Sequence, residues 1–412
     1  MCISIRRLVL LLGSLSLGFV VGCGDLPNRD PGPLTRGRSG CDARPTTVDS
    51  ARRDSQTAPD SHPVSFDAAD STGEAVDGGL VVDTIDGGAE PMVPDTQVED
   101  TFVSTDPDCA DAGDNPSQVA TVIVLPDTQY YSAYYPTIFN AQVNYILNQR
   151  GPRNIAGVLH VGDVVDDIFS DSQWVAAAKA LRPLDNVLPY ILVPGNHDQD
   201  GNRKGLMDNY FPPDTMPWIT GTMVPGQSEN TYTLLDIGPR KWLVMALEFG
   251  PRNNTLVWAD GILKAFPTLP AILLTHAYLY DDGTRYDWAA KGSNQLYNPH
   301  WYNPTPDEGV NDGEEMYKKL VVPNPNIRLV FSGHMNTTPW ALARRTDLRP
   351  QGGAPVHQML QDFQSNTNGG DGYLRILEFD YGTGEIRVDT YSPTLDKYIA
   401  DNTGRFTLPL VP

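Results

Sequence analysis

Five apolar runs in this 412-residue chain each stop on side chains that can hold a cation. "VATVIVLP" (119–126) runs into Asp127 and Gln129, and "IAGVLHVG" (155–162) into Asp163, Asp166 and Asp167. "YILVPG" (190–195) is followed by Asn196, His197 and Asp198, "AILLT" (271–275) by His276, and "IRLVFSG" (327–333) by His334, with Asn336 two places on. Singly, each has an ordinary explanation: Asp127 or Asn196 as a turn former, His276 as a strand-end cap. Turn chemistry does not explain all of them after five apolar runs. Carboxylates gathered at one place repel unless a cation lies between them. Oxygen and imidazole donors without thiolate suit Mn²⁺, Fe or Zn²⁺.

The elements that must position these groups follow from the patterning. Short continuous apolar runs are consistent with buried strands, and near-helical spacing separates them. Ile138, Val143, Ile146 and Leu147 mark one helix, and "DSQWVAAAKALRPL" a second with Asp171 or Ser172 as N-cap. A third is expected around 256–266. "NTYTLLDIG" and "KWLVMALEF" predict a hairpin, and "VHQMLQDFQ", "YLRILEFD", "EIRVDTYSP" and "RFTLPL" predict further strands, with "YGTG" as a turn. The expected fold is α/β, two stacked mixed sheets flanked by helices. In open α/β sheets ligands bind beyond the carboxyl ends of strands, the rim where the polar residues fall. Glycines beside three of these ends permit sharp turns and close backbone approach.

The order Asp-x-Gln, Gly-Asp-x-x-Asp, Gly-Asn-His-Asp, a lone His and then Gly-His resembles the calcineurin-like metallophosphoesterases over about residues 121–336. "GYLRILEFD" and "VDTYSP" resemble the closing strands of exported members that begin "PDTQYYS". The resemblance implies a two-sheet sandwich with two divalent metal ions at its rim, drawn from Mn, Fe, Zn or Mg. It further implies that Asp163 bridges the metals, that Asp127 and Gln129 hold the first, and that Asn196, His276 and His334 hold the second. His197 would stand outside the metals, facing the phosphate. Asp166 and Asp198 would support the ligands from behind. One departure is visible: the family's last motif reads Gly-His-x-His, and here its second histidine is Asn336. Gln129 likewise stands where many relatives have His. The first site would then be built from Asp127, Gln129, Asp163 and Asn336, all oxygen, favouring Mn²⁺, Mg²⁺ or Ca²⁺ over Zn²⁺.

The segment at 276–304, "HAYLYDDGTRYDW...NQLYNPHWYNP", is too long and aromatic for an idle linker, and long loops in compact domains are often lids or binding loops. Tyr280, Tyr286, Trp288, His300 and Trp301 are candidates either for touching substrate or for packing the loop down. Arg252 in "FGPR" is a candidate phosphate contact.

The N-terminus reads as an export signal over 1–22: Arg6 and Arg7, an apolar run, then Gly22 and Cys23. "VVGC" resembles a bacterial lipobox, which makes Cys23 the expected lipidation site and the membrane anchor. Residues 23–118 are rich in Asp, Pro, Ser, Thr and Gly, with no Lys or Arg between Arg53 and Arg150. Such a composition cannot bury enough apolar surface to order itself, so a disordered acidic tether is expected, leaving 119–412 as the folded domain. Much of the net charge of -21 lies in that tether, and no basic stripe points to nucleic acid. Cys41 and Cys109 could pair there in an oxidising compartment.

The expected function is that of an exported, lipid-anchored, monomeric enzyme hydrolysing small phosphate mono- or diesters, whose two cations acidify a bridging water. His197 would pass a proton to the leaving oxygen. The alternative is a non-catalytic surface binding module on the same fold with a degenerate first metal site.

Overall fold

The structure is a computed structural model that describes residues 117–337, 341–349 and 353–410. The expected signal, Cys23, the tether up to residue 116 and the Cys41–Cys109 pair lie outside the described residues.

The alternation of strands and helices resolves into two seven-stranded sheets among the described residues. The strands of the first are β1 (Val119–Leu125), β2 (Ile155–His160), β3 (Tyr190–Leu192), β11 (Leu374–Asp380), β12 (Glu385–Ser392), β13 (Lys397–Tyr398) and β14 (Phe406–Pro409). Those of the second are β4 (Gly221–Thr222), β5 (Thr231–Ile237), β6 (Arg240–Leu247), β7 (Ala271–Thr275), β8 (Ile327–Ser332), β9 (Ala341–Asp347) and β10 (Val356–Asp362). The orders are β13-β12-β11-β1-β2-β3, with β14 on β12, and β4-β5-β6-β7-β8-β10-β9. Parallel pairing runs through β1-β2-β3 and through β6-β7-β8-β10, while the flanking pairs are antiparallel. The carboxyl ends of each parallel set therefore fall at one edge of its sheet.

Both faces of these central strands are covered, which is why they read as unbroken apolar runs rather than alternating ones. Val122 and Val124 point inward with Leu159, Val161, Val244, Ile272, Leu329 and Phe331 to form the layer between the sheets. Their neighbours Ile123 and Leu125 point outward, onto Phe139, Val143 and Ile146 of helix Pro136–Gln149 and Trp174 and Leu181 of helix Asp171–Leu181. On the far side Leu243, Met245 and Leu273 meet Leu256, Ala259 and Leu263 of helix Asn253–Ala265. The period of two along each strand assigns successive side chains to opposite cores.

Two details differ from expectation. The N-cap of helix Asp171–Leu181 is Ser170, one residue earlier than expected, and its hydroxyl pairs with Ser172 instead of capping a backbone N–H. β9, the sequence "ALARRTD", is a strand the patterning does not announce, because only its first half is apolar and it lies at a sheet edge with Arg344 exposed. No helix among the described residues is long and apolar enough to cross a membrane.

Candidate metal centre

The turns after β1, β2, β3, β7 and β8 bring the polar strand ends together, and glycines let them approach. A Cβ on Gly333 would lie 1.9 Å from Asp127 Oδ1, and one on Gly195 would lie 2.0 Å from Asp163 Oδ1. Only a residue without a side chain fits either place. Asp163 and His334 both adopt positive φ, 50° and 75°. Non-glycine residues held in that region cost on the order of 1–3 kcal/mol, a strain concentrated at functional sites.

Asp163, His276 and His334 are buried and present their ligand atoms to one another. His276 Nε2 lies 3.2 Å from Asp163 Oδ1, 3.2 Å from Asn196 Oδ1 and 3.1 Å from His334 Nδ1. The outer nitrogens are occupied: His276 Nδ1 donates to the Val161 carbonyl at 2.8 Å, and His334 Nε2 to the Tyr297 carbonyl at 2.7 Å. A carbonyl only accepts, so each neutral ring keeps its hydrogen outside and turns a lone pair inward. Inward lone pairs facing two oxygens repel unless a cation stands among them. This is the outer hydrogen bonding that metal-bound imidazoles ordinarily show.

A second group of donors lies beside the first. Asp127 Oδ2 accepts the His334 backbone N–H at 2.9 Å, leaving Oδ1 buried without a partner. Gln129 Oε1 and Asp163 Oδ2 are also buried and unpartnered. Buried acceptors without donors are rare and call for an unseen ligand. Asn336 lines the cavity next to Gln129. The donor chemistry therefore fits two hard or borderline cations, one among oxygens only and one among oxygens and imidazoles.

Charge in the site tells the same story. Burial, with the nearby charges of Asp362 and Asp163, holds the Asp127 carboxyl well above the usual carboxylate range. Burial pushes His334 down to about 3. Burial would lower His276 and raise Asp163, but their mutual attraction prevails, so His276 is raised and Asp163 lowered.

His197 stands apart from this knot, in the cavity wall. Its backbone N–H donates to Asp163 Oδ1 at 2.9 Å, and its Nδ1 donates to the Asp166 carbonyl at 2.7 Å, which fixes the ring and leaves Nε2 for a proton. Burial lowers its pKa, but the charges of Asp163 and Asp166 outweigh this and raise it. Asp198 is buried and accepts from the backbone of Val164, Val165 and Gly195 at 2.8–3.0 Å, tying the turn after β2 to the turn after β3. Asp166 accepts from the Gln129 amide at 3.5 Å.

The three expected substrate contacts are not brought to this cavity. Arg252 is held by Glu248 at 3.0 Å, Glu308 at 3.1 Å and Glu229 at 3.5 Å. His300 pairs with Glu315 at 2.7 Å and stacks on Trp288, and the Tyr280 hydroxyl accepts from the Leu296 N–H. The long loop is packed down: Tyr286 is buried, with its hydroxyl on Met335 Sδ, and Asp312 caps helix Gly313–Met316 in a capping box with Glu315. What it delivers to the cavity is Tyr297 and Tyr302, joined there by Tyr130 and Gln364. Sequence reasoning also misses Asp362. It ends β10, which runs parallel to β8 with Leu360 opposite Ser332, so the strand-end rule applied to "VHQMLQD" would find it. Its Oδ2 is buried and unpartnered, and burial pushes its pKa up to about 7.

The family model of the calcineurin-like phosphoesterases matches residues 120–337. The chain is 33% identical over 307 residues to "Uncharacterized protein YvnB" of Bacillus subtilis (strain 168), covering 70% of this chain and 22% of that protein's length. Among solved structures it resembles purple acid phosphatase PPD1 from yellow lupin (Lupinus luteus), with a TM-score of 0.44 and 17% identity, covering 72% of this chain and 54% of that one. It also resembles a 5'-nucleotidase precursor from Thermus thermophilus, with a TM-score of 0.38 and 12% identity, covering 71% of this chain and 54% of that one. With its family model spanning the ends of β1, β2, β3, β7 and β8, the chain belongs to the calcineurin-like phosphoesterase family.

Proposed function

We propose that this protein is a metal-dependent phosphoric ester hydrolase. The observation that carries the reading is the convergence of His276, His334 and Asp163 on one point, with the outer nitrogens of both rings bonded to the carbonyls of Val161 and Tyr297. Asp127, Gln129, Asp163, Asn336 and the newly placed Asp362 would hold one cation. Asp163, Asn196, His276 and His334 would hold the other, with Asp163 shared. Two such cations supply Lewis-acid charge for the phosphoryl oxygens and an acidified water. The chain's own share is positional. Asp163 orients the turn that carries His197 by accepting its backbone N–H. Asp166 fixes the His197 ring so that Nε2 can deliver a proton to the departing ester oxygen. Tyr297 and Tyr302 line a cavity of about 160 Å³.

The alternative, a binding module with a degenerate first site, draws on Gln129 and Asn336. Against it stands His197, whose ring is fixed by the Asp166 carbonyl and takes no part in the donor knot. Export and lipidation at Cys23 belong to the proposal on the strength of residues 1–23 alone, and the mass of the mature N-terminus tests them. For the activity, chelated protein is reconstituted with Mn²⁺ or Zn²⁺ and assayed on 4-nitrophenyl phosphate and its bis-aryl diester. Turnover of either ester supports the reading, and turnover of neither by metal-loaded protein overturns it.

A further inference from the structure

β10 lies beyond the residues that the family model matches, yet it ends at the metal centre. It runs parallel to β8 with Leu360 opposite Ser332, so its end brings Asp362 beside the Gly333–His334 turn. From the other sheet Asp127 reaches the same turn. Its Oδ2 accepts the His334 N–H at 2.9 Å, and its Oδ1 lies against Gly333. The two carboxylates thus flank one turn from two sides. Burial first, then the charge of Asp362 ahead of that of Asp163, holds the Asp127 carboxyl above its usual range.

An ordinary role accounts for only half of Asp362. Its Oδ1 accepts the Gln364 N–H at 2.9 Å, the bond of a turn former. Its Oδ2 is buried without a partner, and so is the amide oxygen of Gln364, a residue that lines the cavity with Gln129 and Asp163. Asp127 Oδ1, Gln129 Oε1 and Asp163 Oδ2 are in the same condition. Five buried oxygens at or just beyond the ends of β1, β2 and β10 therefore lack a donor, and no nitrogen ligand stands with them. Oxygens held about 2.0–2.6 Å from a divalent cation screen one another from water, so a bare cation fits where a larger ligand does not.

We infer that Asp362 and Gln364 make good the histidine replaced here by Asn336, and that the two sites sort metals, Mn²⁺ or a like hard cation at the oxygens and Zn²⁺ at the imidazoles. This rests on the metal-dependent reading of the site and deepens it by naming what each site takes. Asp127, Asp163 and Asp362 supply charge, and Gln129 and Gln364 neutral oxygens, a set that suits hard cations. His276 and His334 give the other site the nitrogen donors that Zn²⁺ favours. Asp362 is then the residue that decides the selectivity of the first site.

For the test, the full 412-residue chain is chelated, given one equivalent of Zn²⁺ and titrated with Mn²⁺. Electron paramagnetic resonance reads free Mn²⁺, and elemental analysis reads bound Zn²⁺. The wild type is expected to hold one ion of each kind. Asp362→Asn keeps the size of the side chain and is expected to weaken Mn²⁺ at least about 100-fold, beyond the 10–100-fold typical of groups behind a ligand, with Zn²⁺ retained. His276→Ala is expected to lose Zn²⁺ and keep Mn²⁺. Asp362→His gives the oxygen site a nitrogen and is expected to draw a second Zn²⁺ there in preference to Mn²⁺. Should Asp362→Asn fail to fold, Gln364→Met, which removes a neutral oxygen, is expected to weaken Mn²⁺ about tenfold. Unchanged Mn²⁺ affinity in either folded variant, or a first equivalent of Zn²⁺ shared between the two sites, overturns the inference. Hydrolysis of bis(4-nitrophenyl) phosphate is read on the same samples. One ion of each kind bound without turnover contradicts the phosphoesterase reading and supports the metal sorting, whereas turnover with Mn²⁺ binding untouched by Asp362→Asn does the opposite.

Discussion

His276 Nε2 and His334 Nδ1 face each other at 3.1 Å, each on a ring whose other nitrogen is bonded outward to a backbone carbonyl. Two neutral imidazoles in this arrangement point lone pair at lone pair, which only an interposed cation, a proton or a metal ion, makes favourable. Asp163 and Asn196 close the same space from two other strand ends. From this contact the remaining expectations follow.

Asp163→Ala removes the oxygen that faces His276 and the acceptor of the His197 backbone N–H. Metal analysis of the purified variant should find fewer than two cations per chain, together with loss of hydrolysis. Two bound cations would show that Asp163 is not shared between the sites.

His197→Ala should leave the cation count intact and lower turnover by ~10²–10⁴, the range of a proton-transfer group. The ring makes no contact with the His276–His334 pair and bonds instead to the Asp166 carbonyl. Metal loss as large as in His334→Ala would identify it as a ligand.

Gly195→Ala would place a methyl group 2.0 Å from Asp163 Oδ1, so the carboxylate must move. Metal affinity should fall about 10–100-fold, as for other changes behind a ligand, while the far-ultraviolet dichroism stays that of the folded sheets. Unchanged affinity would mean that Asp163 binds no cation in its present position.

How far these residues are legible in sequence follows from their surroundings. β1, β2, β7 and β8 are buried on both faces, so their apolar runs and the polar residues that end them stand out. β10 ends in Asp362 by the same rule, but "VHQMLQD" mixes polar with apolar residues and hides it. The roles of the aromatic loop are not legible at all. Tyr297 and Tyr302 reach the cavity and Tyr280 and His300 do not, because distant partners such as Glu315 and the Arg285–Glu314 pair fix the loop's path. Arg252 misleads for a related reason: Glu248, Glu229 and Glu308 surround it only after folding.

Asn336→His should strengthen the oxygen-only site for Zn²⁺, since imidazole is a better donor to that ion than a neutral amide oxygen. Asn336 already lines the cavity beside Gln129 and His334. Titration of chelated proteins with Zn²⁺ and Mn²⁺ should show the gain for Zn²⁺; unchanged affinities for both ions would remove Asn336 from the site.

His160 supplies a pH dependence of stability. It is fully buried, and burial, helped by the nearby His276, pushes its pKa down to about 3 from an ordinary value of 6.5. Its ring bridges the Thr128 hydroxyl at 2.9 Å and the Gly162 N–H at 3.1 Å as a neutral donor and acceptor. A depressed folded pKa means that the unfolded chain binds the proton first. The contribution is therefore complete above about 6.5 and is lost as pH falls toward 3. Thermal melts of the wild type against His160→Gln should converge as pH drops through this window; parallel curves would show that His160 titrates normally in the fold.

The central claim is that bound cations and phosphoester hydrolysis go together in this chain. Equilibrium dialysis of the chelated protein against increasing Mn²⁺, with hydrolysis of bis(4-nitrophenyl) phosphate read on the same samples, tests it most directly. The account predicts no hydrolysis in the chelated protein and a rate that climbs with bound Mn²⁺ until both donor groups are filled. Full activity after chelation, or no hydrolysis with both groups filled, would contradict it.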